Sequence, residues 1–143
     1  RYFKYKHKRS VVSSGGLGTM GFGLPAAVGA TFGAPDRTIC LFMGDGGFQM
    51  SIQELGTIME QQAPVKMISF TRMMNPCYEI IARGYGIPYS VAVDRADLKA
   101  KIAEMLSIDG PYLLECAVKE DENVTPMITP GSAIDEMLLH LDI

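Results

Sequence analysis

Hydrophobic and polar residues follow one another along this chain in a pattern that predicts strands and helices in turn. Short apolar runs bounded by turn-forming residues predict strands at residues 37–43, 89–93 and 112–118, and residues 65–68 are predicted to begin a further strand. Apolar residues at helical spacing predict helices at residues 19–32, 50–62, 75 to about 84 or 86, 94 to past 106, and 132–141. Strands that alternate with helices predict an α/β fold, in which helices sandwich a parallel sheet.

Two of the predicted helices begin at specific sequence signals. Asn75 followed by Pro76 predicts a helix that has asparagine as its cap and proline at its first position. Asp94 is expected to cap the next helix, because a carboxylate there can accept hydrogen bonds from free backbone N–H groups. Both signals place a helix after a strand, as the α/β pattern requires.

The composition is that of one globular domain. The 143 residues are 48% hydrophobic and 20% charged, and the net charge of −3 gives no overall basic field that would attract nucleic acid. The basic segment 1–9, which interleaves aromatic residues, is interpreted as a solvated strand or linker, with an RNA-binding arm as the alternative. No apolar stretch is long enough to span a membrane. We therefore expect neither a nucleic-acid nor a membrane partner.

Cysteine and histidine give no sign of disulfides or of a metal cluster. Cys40 and Cys116 lie in apolar runs and are predicted to be small core residues, and Cys77 forms no CxxC pair with either. His7 and His140 are far apart in the chain and do not suggest a ligand pair. The absence of a predicted disulfide favours a reducing compartment, and we expect a cytoplasmic location.

The segment 44–47, with the sequence Gly-Asp-Gly-Gly, is the strongest candidate for chemistry. It follows a predicted buried strand and precedes a helix, and ligands of open parallel sheets bind beyond the carboxyl ends of the strands. Glycines let the backbone approach a ligand, and a helix N-terminus favours an anion such as a diphosphate. Asp45 adds a hard oxygen, which beside phosphate groups predicts bound Mg²⁺. The alternative for the motif alone is an ordinary turn with a solvated aspartate.

Three separate segments resemble a known family. Residues 44–50 (GDGGFQM) and 52–55 (IQEL) are similar to the start of the thiamine-diphosphate motif, and residues 14–27 (SGGLGTMGFGLPAA) are similar to acetolactate synthases, also called acetohydroxyacid synthases. Residues 122–131 (ENVTPMITPG) resemble the tail of the same family. The resemblance covers nearly the whole chain. It implies that residues 1–143 are the C-terminal thiamine-diphosphate-binding (pyrophosphate) domain of a longer catalytic subunit.

The resemblance also implies roles for particular residues. Asp45 would ligate Mg²⁺, the backbone beside it would hold the diphosphate, and the backbone of Gly18 and Met20 would contact the aminopyrimidine. The Met20 side chain would wedge beneath the bent cofactor, with plain core packing as the alternative. The activating glutamate of the family belongs to an N-terminal domain, so no catalytic residue is expected in this chain. The cofactor-binding residues implied are Gly18, Thr19, Met20, Gly44, Asp45, Gly46 and Gly47.

For the longer protein, the resemblance implies an enzyme that decarboxylates pyruvate and joins the two-carbon unit to a second 2-oxo acid. This reaction begins branched-chain amino-acid biosynthesis. The family also binds FAD through a middle domain, assembles as a homodimer or tetramer, and in some cases carries a small regulatory subunit. The nearest alternative is another thiamine-diphosphate enzyme, such as an oxo-acid decarboxylase or a glyoxylate carboligase. An alternative of a different class is a nucleotide- or RNA-binding module.

The sequence departs from the family pattern at the second metal ligand. The thiamine-diphosphate motif closes with a pair of asparagines about 25 residues after Gly-Asp-Gly, whereas this chain has Phe70-Thr71-Arg72-Met73 there. Either Asn75 substitutes, or a segment is missing. The preferred interpretation is that the match to the family strand stops at Ile68 and that a mobile loop of roughly twenty residues is missing between Ile68 and Ser69. A true deletion would cripple the metal site.

Overall fold

The computed structural model describes residues 4–71, 74–119, 125–129 and 131–139, and these contain a parallel sheet with helices packed on it. The described elements, in chain order, are α1 (Gly23–Gly33), β1 (Ile39–Gly44), α2 (Asp45–Met50), α3 (Glu54–Gln61), β2 (Val65–Thr71), α4 (Tyr78–Gly84), β3 (Tyr89–Ala92), α5 (Arg95–Ser107) and β4 (Tyr112–Ala117). None of these helices combines the length and the hydrophobicity that crossing a membrane requires.

The four strands are hydrogen-bonded in the order β1-β2-β4-β3, and each neighbouring pair is parallel. In the centre of the sheet, Phe42 of β1 pairs with Ile68 of β2, which pairs with Leu114 of β4. Because the strands are parallel, the residues that follow β1 and those that follow β2 leave the sheet at the same edge. This topology brings the segment after residue 44 next to the segment after residue 71.

Helices cover both faces of the sheet, and each face has its own core. Side chains alternate between faces along a strand, so Met67 and Leu113 join one core while Ile68 and Leu114 join the other. The first core also takes in buried residues of α1, α2, α3 and α4: Leu24, Val28, Phe48, Leu55, Ile58, Tyr78 and Ala82. The second core packs against Met105 of α5. The predicted α/β fold, a parallel sheet sandwiched by helices, is confirmed.

Several predicted elements agree closely with the structure. The strands begin within two residues of the predicted positions, and α4 ends at Gly84 as expected. Asp94 caps α5, because its Oδ1 accepts hydrogen bonds from the N–H groups of Ala96 at 2.8 Å and Asp97 at 3.0 Å. These features depend on local sequence signals, which act within a few residues.

The predicted helix at 50–62 is wrong in its bounds. The structure has two helices here, α2 and α3, with a turn between them at residues 51–53. Asp45 and the two glycines after it form the first turn of α2 and not a separate tight turn. Glycine has a low helix propensity, but helix formation here buries Phe48 completely in the first core. Tertiary packing therefore decides where this helix begins.

Strand β2 begins at Val65, as predicted, and continues through Ile68 and Ser69 to Thr71. Ser69 pairs with Met43 on one side and Glu115 on the other, as Ile68 pairs with its own neighbours. The strand extends this far because both adjacent strands offer it backbone partners, β1 as far as Phe70 and β4 as far as Thr71. The loop expected after Ile68 in a longer protein stays a prediction.

Three further predictions fail within the described residues. Asn75 does not cap α4, which begins at Tyr78 with Cys77 as its N-cap residue. Cys40 is exposed and is not a core residue, whereas Cys116 is buried as predicted. Residues 132–139 are not helical, because the chain turns there and Met127 and Leu138 exchange backbone hydrogen bonds of 2.9 and 2.8 Å. Residues 140–141 of the predicted helix lie outside the described residues.

Candidate functional site

Asp45 lies at the edge of the sheet where β1 ends, as the first residue of α2. It is buried, with 7% of its surface exposed. A buried carboxylate needs hydrogen-bond donors, and Asp45 accepts from a backbone group and from a distant side chain. Its Oδ1 accepts from the N–H of Gly46 at 2.9 Å, and its Oδ2 accepts from the side-chain Nδ2 of Asn75 at 3.0 Å.

Asn75 links Asp45 to Gln49. Its Oδ1 accepts a hydrogen bond of 2.5 Å from Nε2 of Gln49, which lies one helical turn after Asp45 in α2. The three side chains thus form a continuous polar chain at the edge of the sheet. Asn75 reaches this place because it follows β2, and β2 is the hydrogen-bonded neighbour of β1.

Tyr78 of α4 lies beneath this polar chain. Its hydroxyl donates to the backbone oxygen of Asp45 at 3.5 Å, and its ring packs edge to face against Phe48 with centroids 5.2 Å apart. Burial raises the pKa of Tyr78 to about 12; the charges of Asp45 and Glu115 also raise this pKa, while a hydrogen bond with Gln49 lowers it. The phenol is therefore neutral at ordinary pH and acts as a fixed donor.

The glycine-rich segment before α1 packs on the helix that carries Asp45. Gly21 has a φ of +80°, and a Cβ added there would lie 3.1 Å from Cβ of Met50 and 3.9 Å from the oxygen of Gly47. The positive φ favours glycine at this position, and a side chain there would crowd Met50. The structure thus brings together two motifs that the sequence identified separately, because Gly21 ends the Gly-Thr-Met-Gly string and Gly47 ends Gly-Asp-Gly-Gly.

The remaining predicted contacts to the cofactor lie on the surface beside this packing. Gly18, Thr19 and Met20 are exposed, and Gly18 has a φ of +65° with its N–H bonded to the oxygen of Ser14 at 2.7 Å. Met20 is 61% exposed, so core packing does not account for it. Gly44 is extended and has open space where a Cβ would lie. The roles predicted for these residues stay predictions.

A second polar pair lies on the adjacent strands. The hydroxyl of Tyr89 donates to Oε2 of Glu115 at 2.6 Å. Burial is the larger cause of a raised pKa of Tyr89, and this hydrogen bond raises the pKa further. Glu115 pairs in register with Ser69, whose fully buried hydroxyl has no hydrogen-bond partner among the described residues. The sequence did not point to Tyr78, Tyr89 and Glu115, because each lies in an apolar segment where it resembles an ordinary core or strand residue.

The side chains at and beside Asp45 are of the types that can bind a magnesium ion. Mg²⁺ usually takes one or two carboxylates, with phosphate and water oxygens completing its shell. Asp45 is the carboxylate, and the side-chain amide of Asn75 lies next to it, with Nδ2 towards Asp45 and Oδ1 towards Gln49. Across the described part of the chain, no group of three or more histidine, cysteine or acidic residues could hold a metal. A cation held by Asp45 would therefore depend on amide, phosphate and water oxygens.

Two surface depressions in the described structure lie away from Asp45. One, of about 370 Å³, is lined by Glu79, Arg83 and the segment 86–89. The other, of about 440 Å³, is lined by His7, Ser10, Arg37 and Thr38. Neither depression is lined by a residue of the two glycine motifs.

Comparison with protein families matches residues 1–71 to the family described as "Thiamine pyrophosphate enzyme, C-terminal TPP binding domain", in which thiamine pyrophosphate is another name for thiamine diphosphate. The matched segment contains both glycine motifs and ends with β2. Among solved structures, a protein from Mycobacterium smegmatis assigned as a thiamin diphosphate-dependent enzyme is similar. It has a TM-score of 0.65 and 27% identity, and the match covers 72% of this chain and 23% of that one.

Curated relatives include acetolactate synthases of plants and bacteria. Acetolactate synthase 2, chloroplastic, of Nicotiana tabacum is 37% identical over 172 residues, which take in 99% of this chain and 26% of the relative. The acetolactate synthase isozyme 2 large subunit of Escherichia coli K12 is 35% identical over 161 residues, which take in 96% of this chain and 29% of the relative. The chain thus spans between a quarter and a third of the length of these relatives.

The alignments are longer than the chain itself. They extend over 172 and 161 positions, whereas the chain has 143 residues. The relatives therefore contain residues that have no counterpart here. The alignment lengths do not place these residues, so the segment expected after Ile68 stays a prediction.

Proposed function

Because the chain belongs to the thiamine pyrophosphate enzymes and corresponds to their C-terminal cofactor-binding domain, we propose that it binds thiamine diphosphate with Mg²⁺ as part of an acetolactate synthase. The observation that carries the proposal is the packing of Gly21 against the helix of Asp45. This contact unites the two motifs whose backbone and carboxylate groups the cofactor needs.

Each residue of the site has a distinct task in this proposal. Asp45 holds the cation, and the backbone of Gly46 and Gly47 holds the diphosphate, because glycine allows phosphate oxygens to approach the main chain. Gly18, Thr19 and Met20 contact the aminopyrimidine. Tyr78 helps to position Asp45, because its hydroxyl donates to the Asp45 backbone oxygen.

Thiamine diphosphate, when bound, supplies the carbon centre at which a 2-oxo acid loses CO₂ and transfers its remaining carbons. The proposed reaction joins pyruvate to a second 2-oxo acid, at the start of branched-chain amino-acid biosynthesis. This chain provides cofactor binding and orientation. In this proposal, other domains of the longer protein supply the activating glutamate and bind FAD. The full-length protein is cytoplasmic and assembles as a homodimer or tetramer, with a separate small regulatory subunit as a further family-level partner.

Calorimetric titration of the chain with thiamine diphosphate, with and without Mg²⁺, tests the cofactor assignment. We expect saturable binding that requires Mg²⁺, and no comparable binding of ATP or of an RNA oligonucleotide. Asp45→Asn keeps the shape of the side chain but removes its charge, and we expect it to weaken Mg²⁺-dependent binding at least about tenfold. Asp36→Ala, at an exposed position, is the matched control. Equal binding by wild-type protein and Asp45→Asn would remove Asp45 from the metal site.

Product analysis with pyruvate tests the reaction in the full-length polypeptide. We expect acetolactate, and the product should depend on added thiamine diphosphate and Mg²⁺. Acetaldehyde as the main product would instead indicate a decarboxylase, and a strict requirement for glyoxylate would indicate a glyoxylate carboligase. The curated relatives described above are acetolactate synthases, which supports the first outcome.

A further inference from the structure

We propose that the side chain of Asn75 supplies the second protein oxygen for the divalent cation held by Asp45. The proposal rests on the proposed function, because it requires a cation at Asp45. Asn75 contacts the Asp45 carboxylate directly, with 3.0 Å between Nδ2 and Oδ2. It does so from the segment that follows β2, the strand hydrogen-bonded to β1.

The position of Asn75 is not explained by a local role. Asparagine before proline is a common helix cap, but α4 begins only at Tyr78, and its N-cap residue is Cys77. Both hydrogen bonds of the Asn75 side chain go instead to residues far away in sequence, namely Asp45 and Gln49. The side chain is thus committed to the edge of the sheet where Asp45 lies.

The asparagine amide has a donor and an acceptor on opposite sides, so one half-turn of its terminal bond exchanges them. In the described arrangement, Nδ2 faces Asp45 and Oδ1 faces Gln49. A cation beside Asp45 repels the N–H group and attracts the amide oxygen, so the amide turns over to present Oδ1. Gln49 can follow this change, because its own amide then accepts from Nδ2 through Oε1.

Two roles for Asn75 predict opposite results when its side chain is removed. If Asn75 is a ligand, truncation removes an oxygen from the cation and weakens binding. If Asn75 is only a hydrogen-bond donor to Asp45, the same truncation removes a donor that competes with the cation, and binding strengthens. The sign of the change in cation affinity therefore decides between a ligand and a competing hydrogen-bond donor.

The test measures binding of Mn²⁺, which suits the same oxygen ligands as Mg²⁺, by loss of its free electron-paramagnetic-resonance signal in the presence of thiamine diphosphate. We expect Asn75→Ala to weaken Mn²⁺ binding at least about tenfold. Asn75→Asp, which keeps the shape and adds a charged oxygen, is expected to bind at least as tightly as wild type. Gln53→Ala, at an exposed position four residues from Gln49, should leave binding unchanged.

A second pair of variants tests the turned amide. Glutamate in place of Gln49 can only accept hydrogen bonds, so it holds Nδ2 of Asn75 and directs Oδ1 towards the cation. We expect Gln49→Glu to strengthen Mn²⁺ binding severalfold. Gln53→Glu adds the same charge at an exposed position, so it measures how much the charge alone raises the Mn²⁺ affinity. The gain in affinity from Gln49→Glu must exceed the gain from Gln53→Glu. An equal gain from both variants would contradict the turned amide.

The possible results separate this proposal from the proposed function. If wild type binds Mn²⁺, Asp45→Asn does not, and Asn75→Ala binds as tightly as wild type or more tightly, the role of Asn75 is refuted while the cation site stands. If wild type binds no Mn²⁺ with thiamine diphosphate, both proposals fail. Far-ultraviolet circular dichroism checks the folding of each variant. If Asn75→Ala does not fold, Asn75→Asp tests the role of Asn75 as a ligand. Weaker Mn²⁺ binding by Asn75→Asp than by wild type then refutes the proposal.

Discussion

Gly21 lies directly against Met50, so that a Cβ on Gly21 would be only 3.1 Å from Cβ of Met50. The two residues belong to different motifs, one before α1 and the other at the end of α2. This contact, and not either motif alone, forms the candidate cofactor site. It also supplies a direct test, because a Cβ at residue 21 would force Met50 to shift and would lie at a strained φ of +80°.

Gly21→Ala is expected to lower the free energy of unfolding by about 1–2 kcal/mol, because alanine is disfavoured at the φ of +80° found there. The new methyl group also pushes the loop away from α2, so Mg²⁺-dependent binding of thiamine diphosphate should weaken. Urea unfolding and calorimetry measure the two effects. Gly29→Ala is the control, because Gly29 lies in α1 with open space around it, and alanine should stabilise that helix by about 0.5–1 kcal/mol. Equal stabilities of wild type and Gly21→Ala would contradict the close packing.

Tyr78 predicts a loss of stability at alkaline pH. Its pKa rises from 10.0 to about 12 on folding, chiefly through burial. Between these values the folded protein keeps a proton that the unfolded chain releases, so the free energy of unfolding falls as pH rises from 10.0 towards about 12. Tyr78→Phe removes this contribution and should flatten the decline. Urea unfolding at a series of alkaline pH values provides the comparison, and identical slopes for the two proteins would show that Tyr78 titrates normally.

Ser69 predicts a stabilising substitution in the centre of the sheet. Its hydroxyl is fully buried and has no hydrogen-bond partner among the described residues. A buried polar group without a partner costs about 1–3 kcal/mol, so Ser69→Ala should raise the free energy of unfolding by roughly 1 kcal/mol. Ser51→Ala is the comparison, because the Ser51 hydroxyl donates to the oxygen of Gly47 at 3.5 Å and its removal should not stabilise. A clear loss of stability in Ser69→Ala would mean that the hydroxyl is hydrogen-bonded.

Asp94 predicts a measurable capping energy for α5. Its Oδ1 accepts hydrogen bonds from two backbone N–H groups, those of Ala96 and Asp97. Asp94→Ala removes both and should lower the free energy of unfolding by about 1 kcal/mol. Asp94→Ser restores a capping oxygen and should recover most of this loss. If the serine variant is as unstable as the alanine variant, the effect of Asp94 arises from its charge and not from the cap.

The sequence by itself determined the alternation of strands and helices, the parallel sheet with helices on both faces, and the Asp94 cap. These features follow from side-chain patterns and capping groups that act within a few residues along the chain. The glycine motifs around Gly18 and Asp45 were also identified from sequence, since their residue types are unusual in an ordinary core. The predicted strand starts were correct to within two residues, because the apolar runs begin directly after proline or charged residues.

The tertiary structure alone decided which of these residues meet. The order β1-β2-β4-β3 places Asn75 beside Asp45, 30 positions away, so the side chain that local rules assign to a helix cap bonds to a carboxylate instead. Helix α2 begins at Asp45 because this places Phe48 in the core. Residues 132–139 are not helical, because Leu138 pairs with Met127 instead. In each case a contact between distant residues outweighs a local preference, because packing and strand pairing contribute more free energy than the propensity of a few residues.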